Sequence, residues 1–171
     1  MSTEHRPQVD RPIMPAGYGV PGSPDGLLSW QAVEERLRSA HVYWMATNRP
    51  DGKPHVVPRW GVWVDGAFWY DGSPETLHAR NLASNPSCVL HLEDGSAATI
   101  LEGTSGAATP PAPELAAAIS AEFIRKYEEH GYAPGPDSWS GEHAGGLSRF
   151  VPAKALAWQE FPKDVTRFRF D

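Results

Sequence analysis

Arg59 has the setting in this 171-residue chain that most needs a chemical explanation. It stands in Pro58-Arg59-Trp60, within an extended run from Pro54 to Val64, and a charge in an apolar setting needs a partner. The plain reading is a strand Arg that faces solvent in a surface ion pair. Seven Trp are the second unusual feature, and Trp44, Trp60, Trp63 and Trp69 crowd one stretch. Such rings either wall a planar ligand or pack a core or dimer face. Other chemistries lack their residues. There is no Gly-x-Gly-x-x-Gly after a strand, no phosphate-binding Gly-Lys-Ser/Thr loop and no His-Glu-x-x-His. His41, His91, His130 and His143 show no metal-ligand spacing. Ser140 and His143 share a loop, but nothing positions a catalytic triad around them. Cys88 stands alone inside a predicted strand, where an inert buried thiol is expected.

The elements that must position these residues can be read from periodicity. Residues 1–28 are rich in Pro and Gly without periodicity and read as an extended N-terminal arm, apart from a domain spanning 29–171. Ser29 is a helix N-cap, and Trp30, Val33 and Leu37 form one apolar stripe on a helix ending near Ala40. His41 to Thr47 is rich in β-formers, and Pro54 to Val64 is a second extended run. Asp65-Gly66 is a strong hairpin signal leading into Ala67-Phe68-Trp69-Tyr70. Ser73-Pro74-Glu75 is predicted to open a short helix that Asn85-Pro86 closes. Strands follow over Ser87–Glu93 and Ala97–Ala108, then a helix from about Glu114 to His130 with Leu115, Ile119, Phe123 and Tyr127 on one face. Residues 131–146 read as a loop and Phe150–Phe161 as a last strand. Arg167 and Arg169 alternate with Phe168 and Phe170, the pattern of an edge strand with one wet and one buried face. The expected fold is mainly β (α+β), a six-stranded antiparallel split β-barrel with peripheral helices, closing to remove its sheet edges.

Composition narrows the function classes. A formal charge of −6 argues against a general nucleic-acid binder, which needs a basic footprint. It also supplies no basic amphipathic face for a membrane surface. No apolar run approaches the roughly 20 residues of a membrane-spanning helix, and the polar N-terminus has no signal-peptide core. The expectation is a soluble cytoplasmic protein.

The order of motifs resembles a known family. Trp44-Met45-Ala46-Thr47, then Arg49-Pro50-Asp51-Gly52-Lys53-Pro54-His55, is similar to the first hairpin of the flavin-binding split barrels. Gly61-Val62-Trp63-Val64-Asp65-Gly66 follows in register. Ala79-Arg80-Asn81-Leu82-Ala83-Ser84-Asn85-Pro86 resembles their short helix, commonly Lys-x-Arg-Asn-Leu, and Leu101-Glu102-Gly103 matches the next element. The resemblance, to the pyridoxamine-phosphate-oxidase-like family, covers residues 29–170. It implies a homodimer with cofactor sites between subunits, holding FMN or the deazaflavin coenzyme F-420 and acting on a small organic substrate. In some branches it implies haem or another planar ligand on a non-catalytic scaffold.

The resemblance also implies site residues. The phosphate site lies around the short helix, whose positive end suits an anion. Ser73, Thr76, His78, Arg80 and Asn81 are its candidates. Where relatives place an Arg and a Lys ahead of Arg-Asn-Leu, this chain has Glu75 and His78, which weakens an anion site. Arg59, with Pro58 and Trp60, lies on the strand that passes beside ring and phosphate, at a position more often apolar, and is the candidate replacement. His55 sits where relatives turn a side chain toward the ring, with Thr47 and Val57 nearby. The C-terminal segment returns toward the cofactor in relatives, which brings Arg167 and Arg169 into consideration.

Overall fold

The computed structural model describes residues 6–140 and 146–170. β1 (Gln8–Asp10) lies in the arm. Ser29 Oγ accepts the Ala32 N–H and starts α1 (Trp30–Ser39), which buries Val33 and Leu37. β2 (Tyr43–Asn48) turns into β3 (Pro54–Arg59), and β4 (Val62–Val64) into β5 (Ala67–Asp71). Asp65 and Gly66 have φ of 51° and 69°, both left-handed, as the turn that matches the twist of a two-residue hairpin requires. Then come α2 (Leu77–Ser84), β6 (Ser87–His91) and β7 (Thr99–Ala107). α3 (Pro113–Tyr127), β8 (Leu147–Ala157) and β9 (Thr166–Arg169) complete the chain.

Among the described residues all pairings are antiparallel, and nine strands form one sheet in the order β1-β9-β8-β7-β6-β2-β3, with β5 joining β8 and β4 joining β5. The eleven-residue β8 is long enough to take β5 beside its first half and β9 beside its second. The ladder β3-β2-β6-β7-β8-β5-β4 therefore returns to its start through the chain itself. β4 follows β3 after only Trp60-Gly61, and no ladder joins the two. The barrel is split at this corner rather than closed by hydrogen bonds.

The strand count corrects the expected six. The run Pro54–Val64 is two strands, because Trp60-Gly61 carries the chain from β2 over to β5. A three-residue strand in the arm and the C-terminal β9 supply the others; Gln8, Val9 and Asp10 pair with Arg169, Phe168 and Arg167. Ser73 does not cap α2. The helix begins at Leu77, and Ser73 Oγ instead accepts the Glu75 N–H in the preceding turn.

Two cores sit on this frame. One packs α1 against the sheet, with Trp63, Phe68, Phe150, Leu101 and Phe168 at its centre. The other lies beneath α3, where Ile119, Phe123 and Tyr127 meet Val62, Trp69, Trp139 and Leu147. The period-four stripe of α3 is thus its buried face. Burying these large side chains is worth roughly 1.5–3 kcal/mol each.

Candidate functional site at the barrel split

Alternation along β3 puts His55, Val57 and Arg59 on one face and Val56, Pro58 and Trp60 on the other. The first three sit across from buried Thr47, Met45 and Tyr43 and are half-buried; Val56, Pro58 and Trp60 are exposed. β3 ends the β1-β9-β8-β7-β6-β2-β3 order, with α2 packed against it and β2. His55 and Arg59 therefore face the start of α2.

Arg59 is the centre of the pocket. Its Nη2 donates to the main-chain carbonyl of Asp71, and its Cζ lies 5.1 Å above the Tyr70 ring. Gly72 is packed beneath it; a Cβ there would lie 3.1 Å from Nη2. Arg59 Nε is buried with no hydrogen-bond partner, and among the described residues no carboxylate pairs with the guanidinium. Burial pulls its pKa down, while Tyr70, Asp71 and Tyr132 push it up. The Asp71 carboxylate is taken by the loop after α3: Tyr132 Oη and Trp139 Nε1 both donate to Oδ2. The Asp71 carboxylate is thus bonded to that loop and makes no ion pair with the guanidinium, although its charge still favours the cation.

His78, in the first turn of α2, is 6% exposed. Burial holds its pKa down to about 4, and the charges of Arg59 and His55 add to that. Its ring is consequently neutral at ordinary pH, with Nε2 3.3 Å from Thr76 Oγ1. No side chain caps the N-terminus of α2, so its first N–H groups take no side-chain acceptor.

The remaining candidates divide. Asn81 is buried and donates to Thr47 Oγ1 at 3.0 Å, and Thr47 bonds the His55 carbonyl, which pins α2 to β2 and β3. Arg80 is exposed and donates to the Glu75 carbonyl, while Glu75 points to solvent. Ser73 and Thr76 bond within the turn before α2. The pocket therefore joins His55, Arg59 and His78, with Val57 between the first two. Trp60 lies on the other face of β3, stacked on Tyr127 with centroids 4.8 Å apart.

Other expectations resolve elsewhere in the fold. Trp63 and Trp69 are core residues whose N–H groups go to Glu34 and the Val64 carbonyl. Trp44 is half-buried on the outward sheet face, so Trp44 and Trp60 keep accessible ring surface. Arg167 and Arg169 both pair with Asp10 of the arm, which accounts for them without a ligand. Burial pushes the Cys88 thiol up to about 12, leaving it inert. Among the described residues no group of three or more His, Cys, Asp or Glu could hold a metal, and no helix is long and apolar enough to cross a membrane. His143 lies outside the described residues. Sequence reasoning missed Asp71, Gly72, Tyr132 and Trp139. Asp71 meets Tyr132 and Trp139 across 61 and 68 residues of chain, and Gly72 meets Arg59 from just past the end of β5, contacts that no local pattern announces.

An antiparallel circuit closed by the chain at one corner, with a half-buried arginine beside that corner, defines a split-barrel protein. Residues 29–158 match the family model for pyridoxamine 5'-phosphate oxidase, and the chain belongs to that family. Among solved structures it is similar to a conserved hypothetical protein from Mycobacterium tuberculosis (19% identity, TM-score 0.60, covering 81% of this chain and 89% of that one). It is similar to a heme binding protein from Mycobacterium smegmatis (20% identity, TM-score 0.56), covering 75% of this chain but only 54% of that one. An F420 reductase matches with 20% identity and a TM-score of 0.52 over 78% of this chain and 98% of that one. At these identities the structures speak for the fold alone. A comparison with curated proteins finds no match.

Proposed function

We propose that the protein is a flavin- or deazaflavin-dependent oxidoreductase acting on a small organic substrate, with the phosphate of FMN or of coenzyme F-420 held by Arg59. The observation that carries this reading is the half-buried Arg59 guanidinium, which has an orphaned Nε and no ion-paired carboxylate among the described residues. A buried cation without a counter-ion is costly, and an incoming oxyanion relieves that cost. Arg59 would supply the charge, His55 and neutral His78 would supply ring nitrogens, and the uncapped start of α2 would supply N–H donors. The cofactor supplies hydride chemistry when bound; the chain's part is to bind and orient it. The proposed assembly is a homodimer, supported by exposed Val56, Pro58 and Trp60 beside half-buried Trp44 on the outward sheet face.

Titrating the purified protein with FMN and with F-420, followed by fluorescence, tests the reading. Binding of one of them at micromolar concentration is expected. Failure of both at tens of micromolar contradicts it. The second reading is a non-catalytic binder of haem or another planar ligand. It is favoured by neutral His78, since the neutral imidazole is the form that ligates iron. A Soret band in the protein as purified would select it.

A further inference from the structure

Lys126 is the group in the molecule that the anion pocket leaves unused and the core should not tolerate. It lies near the end of α3, is 3% exposed and has no carboxylate partner among the described residues. Its Nζ donates to the Ala40 carbonyl at 2.7 Å, to Tyr43 Oη at 2.8 Å and to the Gly61 carbonyl at 3.3 Å. Tyr43 gives its own hydroxyl proton to the Leu37 carbonyl, so toward Lys126 it is an acceptor. Three acceptors require three protons, and the ammonium form is the one that satisfies them all.

The next residue acts on the same place. Tyr127 Oη accepts the Gly61 N–H at 3.0 Å and lies 2.8 Å from the carbonyls of both His41 and Gly61. Its ring carries the stacked Trp60. The two side chains together engage both backbone groups of Gly61, the residue at which the barrel splits. Gly61 has no room of its own to shift into, since a Cβ there would stand 2.4 Å from the Phe68 ring and 2.5 Å from the Trp69 carbonyl. Arg59 is two residues upstream, and its cross-strand partner on β2 is Tyr43, which Lys126 also holds. The lock therefore reaches Arg59 by two routes: along the chain through Gly61, and across the ladder through Tyr43.

We propose that Lys126 and Tyr127 are positioning residues for the anion pocket, locking the β3–β4 corner so that the Arg59 guanidinium is fixed toward the start of α2. Neither side chain touches the ligand in this account, and the assignment rests on Arg59 holding the phosphate. Burial brings the Lys126 pKa down to about 7, with Arg125 adding to the fall and Glu122 opposing it. The corner thus loosens as the third proton leaves. The neighbouring ionisable groups Tyr43 and Tyr127 are pushed up by burial and stay neutral in that range, and His41 reaches the cluster through its carbonyl and by a ring contact to Tyr127 at 6.0 Å.

The test compares FMN with riboflavin, which has the same ring and no phosphate. Dissociation constants for both are measured for the wild type, Arg59→Ala, Lys126→Met, Tyr127→Phe and the pairs Arg59→Ala/Lys126→Met and Arg59→Ala/Tyr127→Phe. Thermal melts record that each variant folds. The preference for FMN over riboflavin should fall about tenfold in Lys126→Met and in Tyr127→Phe, roughly one charge-assisted hydrogen bond. Little further loss should appear in the double variants, because the residues act through Arg59. Should Lys126→Met not fold, Tyr127→Phe alone carries the measurement, since it keeps the ring and removes only the hydroxyl. An unchanged preference in the folded lock variants, with Arg59→Ala impaired, overturns this assignment and leaves the anion reading standing. An unchanged preference in Arg59→Ala overturns both.

Discussion

The molecule contains two arginine sites that look alike in sequence and differ in physics. At the arm, Arg167 makes two bonds of 2.8 Å to Asp10 and Arg169 one of 2.9 Å, lowering the Asp10 pKa and raising that of Arg167. The charges are answered within the fold, and the cluster staples β1 to β9. At the barrel split, Arg59 meets a carbonyl, an aromatic face and a glycine, while the Asp71 carboxylate is bonded to Tyr132 and Trp139. Both are alternating arginines in extended runs. The arm cations are answered by a carboxylate of the fold; Arg59 is the one for which we propose an anionic ligand.

Substitutions can break this contrast. Arg59→Ala should weaken FMN binding by about tenfold to a hundredfold, the 1.5–3 kcal/mol of a charge-assisted hydrogen bond, while the melting temperature holds. Calorimetric titration and a thermal melt on the same sample check both halves. Gly61→Ala should destabilise the protein by about 1–3 kcal/mol through overpacking against Phe68 and the Trp69 carbonyl, read by urea denaturation. That result would place the strain at the split rather than at the arm.

A pH series sharpens the contrast further. His78 has a folded pKa of about 4, below its ordinary 6.5, so the unfolded chain binds its proton first. Its contribution to stability is complete above 6.5 and is lost as pH falls from 6.5 toward 4. His78→Gln should flatten that limb of the stability profile, measured by urea unfolding between pH 4 and 7. A bound anion should oppose the shift, so FMN binding takes up protons in that window. The smallest effect belongs to the arm. Asp10→Asn should cost less than about 1 kcal/mol, as partly exposed ion pairs do, and leave FMN affinity unchanged.

Much of the fold was legible because it is local. The Ser29 cap, the Val33–Leu37 stripe, the Asp65-Gly66 turn and the buried face of α3 each lie within a few residues. The corner at Trp60-Gly61 was not, since the β-forming pattern runs unbroken across it and only the distant β5 shows where the strand changes partner. β1 is too short for periodicity and exists because β9 pairs with it. At the candidate site, the resemblance pointed to Arg59, His55 and His78 alike, and Arg59 stood out further as a charge in an apolar setting. Nothing local marks out Lys126, a cation in the last turn of α3. It is buried because Ala40, at the end of α1, and Gly61 present carbonyls to it from elements more than 60 residues away.

The central claim is that Arg59 is a cation held for an anionic ligand. Calorimetric titration of the wild type and Arg59→Ala with FMN, and in parallel with F-420, tests it most directly. The account predicts micromolar or tighter binding of one cofactor to the wild type and at least tenfold weaker binding to the variant. Equal affinity for wild type and variant, with both folded, would contradict it.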